Sequence, residues 1–116
     1  MEDCIFCKII KGDLPSKKEF ENDKIVVFHD INPKAEVHIL IVPKKHISSL
    51  IEAEKEDRDL LGDMMIEAKN TAQKLNFNRD GYKIVINNGR GSGQIIFHLH
   101  MHLLGGWKDK VKGWQV

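Results

Sequence analysis

The chain has 116 residues, of which 18 are Lys or Arg and 17 are Asp or Glu, so its formal net charge is +1. This length suits one compact domain over residues 1–116, and the near-neutral charge argues against bulk electrostatic binding of nucleic acid or an anionic membrane. No apolar run approaches the roughly 20 residues of a membrane span. The first ten residues, MEDCIFCKII, place acidic residues ahead of apolar ones, unlike a secretory signal, so we expect a cytoplasmic protein without membrane or nucleic-acid partners.

The first half of the chain predicts a short helix and two strands. Residues 4–15, CIFCKIIKGDLP, form a short helical turn that Gly12 and Pro15 end. Residues 24–30 and 37–43 are rich in β-branched side chains, and the turn-forming INPKAE lies between them.

The second half predicts one long helix and two further strands. From about Glu54 to Asn76, apolar residues recur at steps of three and four, which is typical of an amphipathic helix. Residues 82–88 and 96–104 read as strands, and a polar tail with two tryptophans follows. Short connections between strands favour a mainly antiparallel sheet in an α+β domain.

Three histidines alternate in the stretch IIFHLHMHLLGG, residues 95–106. Side chains alternate across a strand, so His98, His100 and His102 share one face, which we expect to be open. The opposite face should be packed, and it carries Phe97, Leu99, Met101 and Leu103. Three interpretations compete: a solvated polar face, a metal site, or nucleophilic and acid–base chemistry on a phosphate.

A glycine-rich loop, NNGRGSGQ at residues 87–94, leads directly into this strand. Its glycines allow backbone N–H groups to form an anion-binding nest, although a flexible hairpin loop has the same composition. A phosphate held there would lie near the imidazoles, which favours the phosphate interpretation.

Cys4 and Cys7 are the only cysteines and have C-x-x-C spacing. The pair alone is compatible with redox chemistry, half of a zinc site, or inert thiols. A redox motif is expected after a strand, and no strand precedes this one.

The histidine motif HLHMHLL, residues 98–104, resembles the motif that names the histidine triad family of nucleotide hydrolases and transferases. Residues 4–15, 28–50 and 91–106 are similar to the family's N-terminal signature, its central hairpin, and its loop and triad strand. The resemblance covers nearly the whole chain and is nearest to small bacterial nucleotide-binding members with a Cys pair. It implies a five-stranded antiparallel sheet with one long and one short N-terminal helix, and a homodimer with a ten-stranded sheet.

The resemblance also implies hydrolysis of purine nucleoside phosphoramidates to a nucleoside monophosphate. His100 would attack the α-phosphorus to form a nucleotidyl-histidine, His102 would contact the phosphate, and His38 and His98 would complete the catalytic cluster. The expected nucleotide-binding positions, besides His100 and His102, are Phe6, Ile9, Phe28, Asp30, Ile31, Asn87, Gly93, Gln94 and Ile95.

Relatives with the Cys pair suggest a structural zinc held by Cys4, Cys7, His46 and His98. Zinc at His98 would remove that imidazole from acid–base work. One position departs from the family, which often has Ser or Thr where this chain has Ile95. The alternatives are a nucleotide-binding regulator with little turnover, a dinucleoside polyphosphate hydrolase of the same fold, and a zinc-dependent hydrolase. Trp114 in the tail is a further candidate for substrate selection.

Overall fold

The computed structural model describes residues 3–107, so the prediction about Trp114 lies outside the described residues. The two α-helices are α1 (Ile5–Lys11) and α2 (Arg58–Lys74). The five strands are β1 (Lys18–Glu21), β2 (Ile25–His29), β3 (Val37–Pro43), β4 (Tyr82–Val85) and β5 (Met101–Gly105). Short 3₁₀ turns occur at Leu50–Glu52, Lys55–Asp57 and Arg90–Ser92.

The strands form one antiparallel sheet in the order β1-β2-β3-β5-β4. This arrangement confirms the α+β class and the five-stranded sheet with its long and short helices. The prediction of individual strands from the sequence did not include β1. Its sequence, KEFE, is largely polar, and its central residues are half-buried. Strand β5 lies between β3 and β4, which brings the histidine segment beside the strand that carries His38.

Both faces of the sheet are covered, each by one helix. The larger core lies between α2 and one face and includes Ile25, Val27, Ile39, Ile41, Met64, Ala68, Ala72, Leu99, Met101 and Leu103. The smaller core lies on the opposite face and joins Phe6 and Ile9 of α1 to Val26, Phe28, Leu40 and Val42. Residues 25–28 of β2 and 39–43 of β3 are therefore continuous apolar runs, because successive residues enter different cores.

Helix α2 lies where the sequence predicts a long helix, but both of its ends fall inside the predicted range of about Glu54 to Asn76. Residues Lys55–Asp57 form a 3₁₀ turn, where the Asp57 side chain accepts from the Glu54 backbone N–H at 2.8 Å, and α2 starts at Arg58. Beyond its other end, Asn76 adopts a left-handed conformation with φ 63°, which a helix cannot continue through. Met64 is fully buried, whereas Met65 is 47% exposed.

The histidine segment is the place where the strand prediction was wrong. Strand β5 starts only at Met101, because Leu99 donates its backbone N–H to the Ile47 carbonyl oxygen at 2.6 Å instead of joining the β3 ladder. Phe97 is 45% exposed, not packed. The histidine face is not open, since α1 covers it and leaves His98 fully buried and His100 8% exposed. Strand β4 also ends earlier than expected, at Val85.

Among residues 3–107, neither helix combines the length and the apolar composition that crossing a bilayer requires.

Candidate active site and metal centre

The four expected catalytic histidines lie together on the α1 side of the sheet. His102 is in β5 and pairs with Leu40 of β3, two residues along from His38. The ring centroids of His38 and His102 are 5.2 Å apart, and those of His100 and His102 are 4.8 Å apart. Antiparallel pairing of β3 with β5 thus joins residues 64 positions apart into one cluster.

His100 has a defined tautomer, because its Nδ1 lies 2.7 Å from the carbonyl oxygen of His98. A carbonyl only accepts, so Nδ1 carries the proton and Nε2 of the neutral ring keeps its lone pair. Burial lowers the pKa of His100, although the His98 carbonyl and the Asp30 charge act in the opposite direction. The side chain therefore offers an unprotonated Nε2, the form in which an imidazole is a nucleophile.

The tautomers of His38 and His102 are fixed by a chain that starts at a backbone amide. The Lys34 backbone N–H donates to His38 Nδ1 at 3.0 Å, so the neutral His38 ring has its proton on Nε2. That Nε2 lies 2.9 Å from His102 Nδ1, which must accept. His102 consequently has its proton on Nε2, and this atom is buried without a hydrogen-bond partner among residues 3–107.

Burial also keeps these two imidazoles neutral. It lowers the pKa of His38, with Lys34 and His100 adding to the effect and Asp30 opposing it. For His102, burial followed by the neighbouring His100 and His38 lowers the pKa to about 4, against an opposing contribution from Asp30. At neutral pH, His102 is therefore an N–H donor without charge and cannot supply a proton as an imidazolium.

The glycine-rich loop is held from inside by Gln94, which is 4% exposed. Its Oε1 accepts from the Gly89 backbone N–H at 2.8 Å, and its Nε2 donates to the carbonyl oxygens of Ser48 and Ile96 at 2.7 and 3.0 Å. These three hydrogen bonds use the side-chain amide within the protein. The expected nucleotide contacts of Gln94 and Gly93 stay predictions. For Gln94 the contact would have to come from its backbone, and Gly93 is exposed.

The remaining nucleotide-binding candidates divide into a buried and an exposed group. Phe6, Ile9 and Phe28 are buried in the smaller core, where Phe6 packs edge-on against Phe28 at 5.7 Å between centroids. Ile31 and Ile95 are 89% and 86% exposed. Asp30 lies with Oδ2 3.5 Å from His38 Nε2, and Asn87 is half-buried two residues beyond β4. The nucleotide contacts of all these residues stay predictions.

A second cluster brings together the four expected metal ligands, whose donor atoms all lie within 4.8 Å of one another. Cys4 Sγ is 3.3 Å from His98 Nδ1, and Cys7 Sγ is 3.3 Å from His46 Nδ1 and 3.6 Å from His98 Nδ1. His98 Nε2 donates to the Pro43 carbonyl oxygen at 2.7 Å, which leaves Nδ1 as the lone pair that faces the sulfurs. These four residues could hold a metal ion.

Comparison with known proteins agrees with this geometry. A sequence model of the HIT domain matches residues 11–109. The chain belongs to the HIT domain family. It is 44% identical over 105 residues to protein HitA of Neisseria gonorrhoeae, covering 90% of this chain and 97% of that protein.

Solved structures of HIT family members share the fold. A HIT family hydrolase from Clostridium thermocellum superposes with a TM-score of 0.92 at 42% identity, covering 97% of each chain. A zinc-bound histidine triad family protein from Mycobacterium smegmatis superposes with a TM-score of 0.77 at 29% identity, covering 90% of this chain and 75% of that one. The HIT fold and its hydrolase relatives support hydrolase activity as a class.

Hydrogen bonds also distinguish two possible metal clusters in this HIT domain, one of which the sequence reasoning missed. Donor atoms of Asp30, His38 and His102 also lie within 4.8 Å of one another. However, His38 Nδ1 accepts from Lys34, so a metal at His38 Nε2 would require a doubly deprotonated imidazole. At His98 the second nitrogen donates to a carbonyl, as metal-bound histidines usually do. The cysteine cluster is therefore the better metal site.

Proposed function

We propose that this HIT domain protein hydrolyses purine nucleoside phosphoramidates, of the AMP–amine type, through a nucleotidyl-His100 intermediate. One observation carries the proposal: the 2.7 Å hydrogen bond from His100 Nδ1 to the His98 carbonyl leaves Nε2 free to attack. The neighbouring His102 adds a buried Nε2–H without a partner in the described chain, a suitable donor to a phosphate oxygen. Family membership and hydrolase relatives support the same reaction class.

The reaction would proceed in two displacements at phosphorus. In the first, His100 Nε2 forms a bond to the α-phosphorus, the P–N bond to the amine breaks, and the amine leaves with the electron pair and takes a proton from solvent. The modified ring then carries a positive charge, which the His98 carbonyl and the nearby Asp30 carboxylate stabilise. In the second, a water oxygen forms a bond to phosphorus and loses one proton to solvent, while the P–Nε2 bond breaks and its electron pair returns to Nε2.

A structural zinc ion at Cys4, Cys7, His46 and His98 is the second part of this proposal. A tetrahedral ion with bonds of about 2.3 Å to sulfur and 2.0–2.1 Å to nitrogen places these atoms roughly 3.5 Å apart. The S–N distances of 3.3, 3.3 and 3.6 Å fit that requirement. Four protein ligands leave no open position for water, which argues against the zinc-dependent hydrolase alternative.

Several further predictions accompany the proposal. The single domain over residues 1–116, the cytoplasmic location, the purine preference and the absence of nucleic-acid and membrane partners stay predictions. So does the homodimer, for which the half-exposed Met65 and Ile66 on α2 offer apolar surface. Sedimentation equilibrium would measure the assembly state directly.

Release of AMP from an adenosine phosphoramidate tests the activity. We expect His100→Gln to lower kcat by a factor on the order of 10³ or more, because the nucleophile is lost. His29→Gln is the matched control, since His29 pairs with Glu19 at 2.6 Å and lies outside the proposed machinery. Acid quenching of the wild type during turnover should trap a nucleotidyl adduct, which mass spectrometry would detect and His100→Gln would lack.

A second candidate is a nucleotide-binding regulator, favoured by the exposed, apolar Ile95 where the family often has a hydroxyl. Tight AMP binding without release from any phosphoramidate would support the regulator and contradict the hydrolase. Turnover of dinucleoside polyphosphates alone would instead support the hydrolase alternative of the same fold.

A further inference from the structure

His98 links the metal cluster to the proposed nucleophile through two different groups of one residue. Its Nδ1 faces Cys4 and Cys7 at 3.3 and 3.6 Å. Its backbone carbonyl accepts the Nδ1 proton of His100 at 2.7 Å. Any rotation of this peptide would therefore disturb the group that selects the His100 tautomer.

Phe6 links the same two sites from the opposite side. It lies between Cys4 and Cys7 in the sequence and is 3% exposed. Its ring meets the His100 ring edge-on, with centroids 5.0 Å apart at 82°, and the His98 ring at 5.9 Å and 74°. Rotation about χ2 of a histidine is soft and would exchange the nitrogen and carbon positions of the ring. Close contact with Phe6 opposes that rotation.

The helix that carries Phe6 needs support from outside itself. Helix α1 has seven residues, far fewer than the 12–15 at which an isolated helix becomes even marginal. Its N-cap is the Cys4 sulfur, a weak acceptor that lies 3.4 Å from the Cys7 backbone nitrogen. A metal ion bound by Cys4 and Cys7 would fix this end of α1 to His46 and His98, and Phe6 with it.

We propose that Phe6 is a positioning residue that acts together with metal ligation of His98 to hold the His100 ring with Nε2 aimed at the substrate. The proposal rests on the proposed function, because it assigns a role in that reaction. It differs from a nucleotide-binding role for Phe6, since the phenyl ring acts on the His100 imidazole and not on the base. It predicts that disturbing either Phe6 or the metal affects turnover more than substrate binding.

Phe6→Met tests the proposal because it replaces the rigid ring by a flexible apolar side chain that protein cores also accommodate. Phe77→Met is the matched control: Phe77 is 4% exposed and packs edge-on against Tyr82 at 6.1 Å, in the other core. Both variants are prepared as the full chain with zinc, and their zinc content is measured. Long-range ¹H–¹⁵N spectra of the imidazoles then report the tautomer of His100 independently of activity.

In zinc-loaded wild type and in Phe77→Met, we expect one His100 tautomer with the proton on Nδ1. In Phe6→Met with zinc still bound, and in wild type stripped of zinc, we expect a mixture of tautomers. In Phe6→Met, kcat should fall about tenfold or more while KM changes less than about threefold, as expected when orientation and not binding is lost.

Two results would overturn the proposal: an unchanged His100 tautomer in Phe6→Met, or equal losses of kcat in Phe6→Met and Phe77→Met. These results differ from a failure of the proposed function. If the wild type cleaves no phosphoramidate, but Phe6→Met and zinc removal still change the His100 tautomer, the hydrolase assignment is wrong and the coupling remains. Wild type that cleaves normally, with equal effects of the two variants, would remove the coupling and leave the hydrolase.

Discussion

At the scale of single residues, the site is determined by which ring nitrogen of each histidine carries a proton. Carbonyl oxygens of His98 and Pro43 fix two rings, and the backbone N–H of Lys34 fixes a third. Under the proposed function, chemically identical side chains therefore take different roles: the nucleophile is His100, a metal ligand is His98, and a neutral N–H donor is His102.

The low pKa of His102 predicts a pH dependence of stability. In the unfolded chain a histidine titrates near 6.5, whereas burial and the nearby imidazoles lower the pKa of His102 to about 4 in the folded protein. Between these values the unfolded state binds the proton, so the contribution of His102 lowers the free energy of unfolding as the pH falls from about 6.5 to 4, and this contribution levels off below. The contribution of this group is about 3 kcal/mol at most.

His102→Asn should remove this contribution while keeping an acceptor near His38. We expect a free energy of unfolding that declines less steeply between pH 6.5 and 4 than in the wild type, measured by urea unfolding at a series of pH values. Identical metal conditions for both proteins cancel proton uptake by the cysteine cluster. Parallel curves for the two proteins would show that His102 titrates normally.

Gln94 provides a second prediction at this scale. Gln94→Ala leaves the half-buried Gly89 N–H and the carbonyls of Ser48 and Ile96 without their side-chain partner. The expected loss is about 2–3 kcal/mol of unfolding free energy in chemical denaturation. Ser92→Ala is the control in the same loop, because its exposed hydroxyl makes one 2.7 Å hydrogen bond to Gly89 and its loss should cost under about 1 kcal/mol. Equal losses would contradict a special role for Gln94.

At the scale of elements, strand predictions succeeded where local sequence decided the pairing. Strand β3 covers Val37–Pro43 as predicted, because the segment is rich in β-branched residues and the turn at 31–36 delimits it. The start of β5 could not be predicted, since it depends on a hydrogen bond from Leu99 to the distant Ile47. The histidine tautomers could not be predicted either, because no local sequence pattern places the Pro43 carbonyl against His98.

In the candidate site, too, local sequence predicts some features, whereas others depend on contacts between distant residues. Alternation placed His100 and His102 on one face, but the cover over that face comes from Phe6, nearly a hundred residues away. The four metal ligands came from resemblance to a family, and C-x-x-C spacing alone left redox chemistry and inert thiols open. Only the fold brings His46 and His98 to the cysteines.

Two glycines in different elements predict opposite effects of the same substitution. A Cβ at Gly105 in β5 would lie 2.5 Å from Cδ2 of Phe77, which is buried in the larger core, so Gly105→Ala should destabilise by about 1–3 kcal/mol. A Cβ at Gly62 in α2 has no neighbour within 4 Å, so Gly62→Ala should stabilise by about 0.5–1 kcal/mol through helix propensity. Thermal unfolding of both variants measures the signs, and a common sign would contradict this account.

At the scale of the whole molecule, one sheet separates a larger core from a smaller one, and the candidate site belongs to the smaller side. Helix α1, with Phe6 and Ile9, packs against the strands on that side, and Ile96 adds to the contact from the segment before β5. The metal cluster joins α1 to the end of β3 and to the segment before β5. Its occupancy should therefore affect the stability of the entire domain and not of α1 alone.

Zinc should raise the melting temperature of this protein in a single cooperative transition. An ion that binds only the folded state stabilises it by about 4 kcal/mol at a free concentration a thousand times its Kd, equivalent to about 10 °C or more for a domain of this size. Calorimetry with added zinc and with a chelator would measure the shift, and agreement with circular dichroism would test the single-domain prediction. Cys7→Ser should abolish the response because it removes one of the four proposed zinc ligands, whereas His29→Asn, outside the cluster, should retain the response. A zinc response that survives Cys7→Ser would place the stabilising ion elsewhere, and a second transition on adding chelator would show that α1 and the sheet unfold as separate units.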